Sequence, residues 1–289
     1  MERQSITGGH LLGQPDDFHY RDFAVTGFYE WRTLAMVRAF APRGGTVVEV
    51  GANVGTETVG LADLVGPSGC VHAFEPLSRN AQLLSLNSER FHWTNVEIHR
   101  LALSDKAGTL QFTIPAETSS GTGHLLRDAS RHPASELPHD DMPTYEAVDV
   151  ATLDDVAERF ERLDFLACDT EGEEVRVLGG ARRTLERWAP PMVLEASPKL
   201  LVRAGSSLQE LLSTLESMEY KAYAVARFGL TPVTTTTVAQ ATHATNWLCL
   251  PSSHASKGRL RALRSIVHCG WAPRVWRMNP LDSARTRAT

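Results

Sequence analysis

The sequence predicts an α/β fold, a largely parallel sheet covered by helices on both faces. Short apolar or β-branched runs at 46–50, 70–74, 96–101, 163–168 and 192–194 read as buried strands. Stretches of helical periodicity lie between them, and Gly or Pro punctuation marks the joints. Strands alternating with helices of about 10–15 residues argue for a parallel sheet. The 289 residues suit one such domain at 46–252. That leaves an N-terminal extension with a lead helix at 1–45 and a basic C-terminal extension at 253–289.

Taken in order, residues 1–29 carry Gly8, Gly9, Gly13 and Pro15, which break any period. Trp31, Leu34 and Ala35 follow the i, i+3, i+4 spacing and predict a helix over 30–40, ended by Pro42, Gly44 and Gly45. After the strand at 46–50, a helix is expected over 54–64 and stops at Gly66 and Pro67. The strand at 70–74 leads to a helix at 79–87, and the strand at 96–101 to a short one at 110–114. The stretch 115–143 is rich in Ser, Thr, Gly, Pro, His and Asp and has no period. Loops of that length inside a domain are usually functional, so it is read as a lid. A strand at 145–150, a helix at 153–160 capped by Thr152, and the strand at 163–168 follow. One helix is expected over 173–188. Beyond the strand at 192–194 come an amphipathic helix at 206–218, capped by Ser206 or Ser207, and closing strands at 220–226 and 246–250.

Composition narrows the function. The hydrophobic fraction of 42% and charged fraction of 22% are ordinary for a globular chain. The net charge of −5 gives no overall basic field to recruit nucleic acid. Residues 257–289 carry eight Lys or Arg against one Asp, net +7, leaving −12 elsewhere. That tail is either a solvated extension or a docking element for a partner or a second copy. Cys70, Cys168, Cys249 and Cys269 form no CxxC pair, which predicts a reducing compartment. No signal-peptide pattern and no apolar run of about 18 residues is present, so a cytoplasmic location away from membranes is expected.

In an open parallel sheet, ligands sit outside the carboxyl ends of the strands. After the first strand come Glu49, Gly51, Asn53, Gly55 and Thr56. A pyrophosphate site would place Gly where Asn53 and Thr56 stand, so a phosphate-free ligand such as S-adenosylmethionine fits this turn better than NAD. After the second strand, Glu75 and Pro76 offer a bidentate acceptor for two ribose hydroxyls. After the third, Ser104 and Asp105 can read an adenine edge, or form a plain turn with Gly108. After the fourth come Asp169 and Glu171, suited to holding an ammonium, taking a proton or binding a metal. Glu195 ends the fifth strand.

These residues resemble the FkbM-type methyltransferases. The resemblance rests on the run 49–55; on Glu75 and Pro76 with Asn80 and Asn87; on 102–105 with Gly108; on Thr152 and Asp154; and most specifically on 169–181. It covers roughly residues 30–225. It implies a Rossmann-like class I methyltransferase sheet, S-adenosylmethionine as methyl donor, and a small-molecule hydroxyl acceptor on a sugar or natural product. The cofactor-binding residues expected are Glu49, Gly51, Asn53, Gly55, Thr56, Glu75, Pro76, Asn80, Ser104, Asp105 and Asp169. This chain departs from the family's frequent Lys-aliphatic-Asp-Val-Glu-Gly run at Ala167, Cys168 and Thr170.

Transfer of methyl from a sulfonium needs orientation, and the acceptor hydroxyl must lose a proton. Candidate bases are Asp169, Glu171 and His124, the last in the lid stretch, and Asp169 can instead hold the cofactor ammonium. A divalent metal on Asp169, Glu171 and Glu195 is a second route, and His139, Asp140 and Asp141 form another acidic group. Two rival functions are an NAD-dependent oxidoreductase and a non-catalytic binding subunit on the same fold.

Overall fold

The computed structural model describes residues 1–115, 118–126, 144–226, 229–243 and 246–252. Most of the expected lid (127–143) and the C-terminal extension lie outside them.

The chain opens with an antiparallel pair, β1 (Glu2–Gln4) and β2 (His10–Leu12). Helix α1 (Phe18–Thr26) is capped by Asp17, whose carboxylate accepts from the Tyr20 N–H at 2.8 Å. None of the three elements shows a period of its own. Each is held by distant partners: Asn87 donates to the Leu12 carbonyl at 2.9 Å and accepts from the Leu12 N–H at 2.7 Å. Next come α2 (Trp31–Phe40), β3 (Thr46–Val50), α3 (Thr58–Val65), β4 (Cys70–Phe74), α4 (Ser78–Arg90) and β5 (Val96–His99). Helix α3 starts four residues later than periodicity suggests, because 51–57 is spent on the turn beneath the site.

The strand expected over 96–101 ends at His99. Its continuation, β6 (Ala102–Leu103), joins a separate four-stranded sheet with β7 (Gly108–Ile114), β8 (Leu125–Leu126) and β9 (Thr144–Ala151), in the order β6-β9-β7-β8. The strands at 110–114 and 145–150 read from sequence therefore pair with each other and not with the central sheet. The rest of the chain is α5 (Leu153–Val156), β10 (Phe165–Cys168), α6 (Glu174–Gly179), α7 (Arg182–Trp188), β11 (Met192–Glu195), α8 (Pro198–Arg203), α9 (Leu208–Ser217), β12 (Tyr220–Ala226), β13 (Gly229–Val233) and β14 (Asn246–Pro251). Ser207 caps α9, accepting from the Glu210 N–H at 3.1 Å. Helix α8 and strand β13 were not legible as periods.

The central sheet runs β13-β12-β14-β11-β10-β3-β4-β5. Strands β5, β4, β3, β10 and β11 are parallel, while β14 inserts antiparallel between β11 and β12. This is the Rossmann-like sheet expected, with an antiparallel edge added. Both faces are covered. Val48 and Val50 pack with Leu178, Leu185 and Leu211 of α6, α7 and α9. Val47 packs on the opposite face with Leu34 and Leu61 of α2 and α3. Successive residues of one buried strand serve two cores, which is why its sequence is continuously apolar.

The single helix expected over 173–188 is two. Gly180 packs against the turn after β6 so closely that a Cβ there would lie 2.0 Å from the Ser104 carbonyl oxygen. The chain bends at this contact and restarts as α7. Ala181 provides no capping oxygen, so Asp154 does, accepting from the Arg183 N–H at 3.1 Å and the Thr184 N–H at 2.7 Å. This gives Asp154 and Gly180 structural work in the shared motif. Replacing Asp154 with Ala strands two N–H groups at the start of α7 and is expected to cost about 0.5–2 kcal/mol. Urea unfolding of the variant measures it, and an unchanged midpoint would contradict the cap.

Candidate active site

The carboxyl ends of β3, β4, β10 and β11 open on a cavity of about 290 Å³. Its base is set where β3 and β10 end. Gly51 has φ +90°, and a Cβ there would lie 1.9 Å from the Asp169 carbonyl oxygen. Only glycine permits this approach. The Asp169 N–H in turn donates to Val50 O at 3.0 Å. The glycine expected to make room for a ligand thus first makes room for the neighbouring strand's backbone.

Asn53, with φ +51°, donates its N–H to Glu75 Oε2 at 2.9 Å, and the Leu77 N–H donates to Glu75 Oε1 at 2.9 Å. Both oxygens of Glu75 are thereby fixed at the cavity wall. Asn53 Oδ1 is buried there without a protein partner. Glu49 accepts from Thr58 Oγ1 at 2.7 Å. Burial pushes Glu49 up to about 8, against the Thr58 hydroxyl and with the Glu75 charge. Burial also lifts Glu75 to about 7, opposed by the Leu77 and Asn53 N–H groups.

Asp169 and Glu195 face one another at the ends of β10 and β11. Burial, then the Asp169, Glu174 and Glu171 carboxylates, raise Glu195 well above the ordinary carboxylate range. Asp169 is itself raised by burial and by Glu30 and Glu171. Neighbouring buried acids raise one another because both cannot readily ionise side by side. Glu171, in the left-handed region at φ +58°, accepts from Arg203 of α8 at 3.0 Å. Glu174, beneath this turn, accepts from the Thr170 N–H at 2.9 Å and the Thr170 hydroxyl at 2.8 Å. Burial lifts it to about 7.

The structure brings Glu49, Gly51, Asn53, Thr56, Glu75, Pro76, Asn80, Asp169 and Glu171 to one cavity. Gly55 lies beneath it against Leu84. Ser104 and Asp105 are not brought to it. The Ser104 carbonyl abuts Gly180, and its hydroxyl lies 3.1 Å from Asp105 Oδ1 and 3.5 Å from Glu173 Oε2. Leu101, Ala102 and Leu103, just before them, line the wall instead. His124 Nδ1 lies 3.1 Å from the Thr113 hydroxyl on β7, while its neighbours Gly123 and Leu125 face the cavity.

Sequence reasoning missed His19, Tyr29, Glu30, Glu57 and Asn246, all at the wall. Asn246 and Thr33 donate to Glu30 Oε2. Burial raises Glu30, and burial with Glu30, Glu49 and Asp169 raises Glu57. Burial lowers His19, and the Asp17 and Asp22 charges oppose this. The only available signal was the acid and aromatic content of 16–30. Among the described residues, eight lining residues are Asp or Glu and none is Lys or Arg. Such a cavity repels a pyrophosphate and attracts a cation.

A covered parallel sheet with an acid-lined pocket at its strand ends defines a nucleotide-type cofactor site suited to a cationic, phosphate-free ligand. Residues 49–222 match the methyltransferase FkbM domain, and the chain belongs to that family. The family's methyl donor is S-adenosylmethionine. No curated protein matches the chain. Three solved structures are similar to it. An FkbM methyltransferase from Methylobacillus flagellatus KT has 17% identity and a TM-score of 0.45, over 74% of this chain and 44% of that one. The chain thus spans less than half the length of that relative. A SAM-dependent O-methyltransferase from Thermotoga maritima has 15% identity and a TM-score of 0.39, over 78% and 65%. Aeropyrum pernix fibrillarin, in complex with S-adenosyl-L-methionine, has 13% identity and a TM-score of 0.38, over 75% and 73%. No helix among the described residues is long and apolar enough to cross a membrane.

The site's residues fit S-adenosylmethionine. Glu75 presents a fixed carboxylate, the unpartnered Asn53 Oδ1 needs a donor, and the acids match a sulfonium and an ammonium. The buried acids also set a pH dependence. Glu49, Glu75 and Glu174 rise from an ordinary 4.5 to about 8, 7 and 7. Between those values the folded chain holds more protons than the unfolded one, so their contribution is complete below about 4.5 and is lost as pH rises through about 7–8. Melting temperature should fall across that window in the ligand-free protein. A flat or rising profile would contradict the burial of these acids.

Proposed function

We propose that the protein methylates a hydroxyl oxygen of a small molecule, a sugar or natural product, with Asp169 as the proton acceptor. The observation that carries this reading is the Asp169–Glu195 pair. It sets two acids side by side at the strand ends, both lining the cavity, with Asp169 raised by burial to about 7. A base raised toward neutrality is better matched to a hydroxyl than an ordinary carboxylate. The other two candidates are worse placed: Glu171 is paired with Arg203, and His124 is fastened to Thr113.

When bound, S-adenosylmethionine supplies a methyl group on a positively charged sulfur. Glu75 would hold the ribose hydroxyls, and Leu101, Ala102 and Leu103 offer an apolar wall for the adenine. Glu49 and Glu57 line the wall where a bound ammonium would draw them back toward ionisation. His19, Tyr29 and Glu30 come from the N-terminal segment and Ser120 and Gly121 from the second sheet's connection. These residues, on the remaining sides, would orient the acceptor. A wall contributed by segments outside the central sheet suits a role in choosing the substrate. Cys70, Cys168 and Cys249 are free thiols, which supports a reducing, cytoplasmic setting.

Methyl-labelled S-adenosylmethionine, offered with a panel of sugar and polyketide alcohols, should yield a labelled methyl ether. Asp169→Asn should then lower kcat by on the order of 100-fold, while S-adenosylhomocysteine affinity changes little. Activity of the wild type should rise with pH through a midpoint above the usual carboxylate range, because the base must be ionised. If Asp169→Asn keeps kcat and loses cofactor affinity, Asp169 holds the cofactor and is not the base.

A further inference from the structure

Outside the acidic cavity, strands β4 and β5 bring four metal-ligating side chains onto one face of the central sheet, from Cys70 at the start of β4 to His99 at the end of β5. His72 pairs in register with Glu97, and Phe74 with His99. Residues two apart along a strand share a face, so Cys70 and His72 lie beside Glu97 and His99. One donor atom each from Cys70, His72 and Glu97 can be chosen so that all three lie within 4.8 Å of one another. Cys70 Sγ is 3.6 Å from His72 Nε2. Glu97 Oε2 is 3.3 Å from His72 Nδ1, and His99 Nε2 is 3.2 Å from the same nitrogen.

We propose that this cluster is a binding site for a Zn²⁺-class divalent ion, with Cys70, His72 and Glu97 as ligands and His99 supporting His72. Bond lengths of about 2.0–2.3 Å in a tetrahedron put neighbouring donors about 3.3–3.8 Å apart; the Cys70–His72 contact of 3.6 Å lies in that range, and the three donors together lie within 4.8 Å. Thiolate, imidazole and carboxylate together are the donor set of a borderline-soft ion rather than of Mg²⁺ or Ca²⁺. Ligation through Nε2, the nitrogen facing Cys70, requires the exposed Glu97 side chain to turn from Nδ1 to the ion, and it leaves Nδ1 to His99, the kind of outer contact that fixes a ligand ring. Both rings are already oriented by stacking. His72 lies 3.9 Å from the Phe160 ring at 18°, and His99 lies 4.4 Å from the Phe74 ring at 13°. His72 is buried, while the Glu97 side chain is 63% exposed, so the site has an anchored side and an open one. It faces a hollow of about 740 Å³, whose rim sets Asp155 and Glu161 against Arg159 and Arg162. The ion would fasten edge strand β5 to β4 on a face of the sheet outside the acidic cavity.

Titration of the full chain with Co²⁺ tests this directly, since thiolate ligation produces a strong near-ultraviolet charge-transfer band. The band should saturate at about one equivalent, and Zn²⁺ should displace it. Cys70→Ser should abolish it. Glu97→Gln, a substitution at an exposed side chain, should weaken Co²⁺ binding by about tenfold or more while leaving the far-ultraviolet circular dichroism unchanged. Absence of the band in wild type would overturn the proposal. So would a band that survives Cys70→Ser, or undiminished affinity in Glu97→Gln. Binding without a thiolate band places the ion in the acidic cavity and equally refutes the site.

Discussion

The site depends on one backbone contact, the approach of the Asp169 carbonyl to Gly51. Parallel strands β3 and β10 lie side by side to their last residues, and the two chains must then diverge to reach helices on opposite faces. With no Cβ on Gly51 they stay in contact one residue beyond the sheet. This places Asp169 beside the glycine turn and directs the turn past β4, where its N–H groups meet Phe74 and Glu75. A larger side chain at 51 would push the two strand ends apart and separate the acids from the Glu75 carboxylate.

From that contact the electrostatics follow. Acids from β3, β4, β10 and β11 converge with Glu30 and Glu57 on a cavity without a lining cation among the described residues. Their mutual repulsion and desolvation are unfavourable in the empty protein, which is why several are raised toward or past neutrality. A cationic ligand relieves both. The same wall offers a pyrophosphate no cationic partner among the described residues, so the choice of cofactor is written in the composition of the whole wall more than in any one glycine.

Much of this was legible in the sequence because it is local. A buried parallel strand is a short apolar run, and the residues that follow it are the site. Gly51, Glu75 and Asp169 could be found this way. What escaped is long-range. Ser104 follows a strand, but that strand leaves for the second sheet, and Gly180 holds the turn away from the cavity. The helix over 173–188 keeps its apolar period through the break, because both halves cover the same core. His19 reaches the wall on α1, whose Tyr20 and Phe23 pack with Leu11 of β2, and β2 is in turn held by Asn87, tens of positions away. No window of local periodicity contains that information.

The central claim is that this cavity selects a cationic, phosphate-free nucleoside through Glu75 and its acid-lined wall. Calorimetric titration of the full chain with S-adenosylhomocysteine and with NAD⁺, repeated on Glu75→Ala, tests it most directly. The account predicts binding of S-adenosylhomocysteine, none of NAD⁺, and affinity weakened by about 1.5–3 kcal/mol in the variant, the range for hydrogen bonds to a charged group. Binding of NAD⁺ in place of S-adenosylhomocysteine, or unchanged affinity in folded Glu75→Ala, would contradict it.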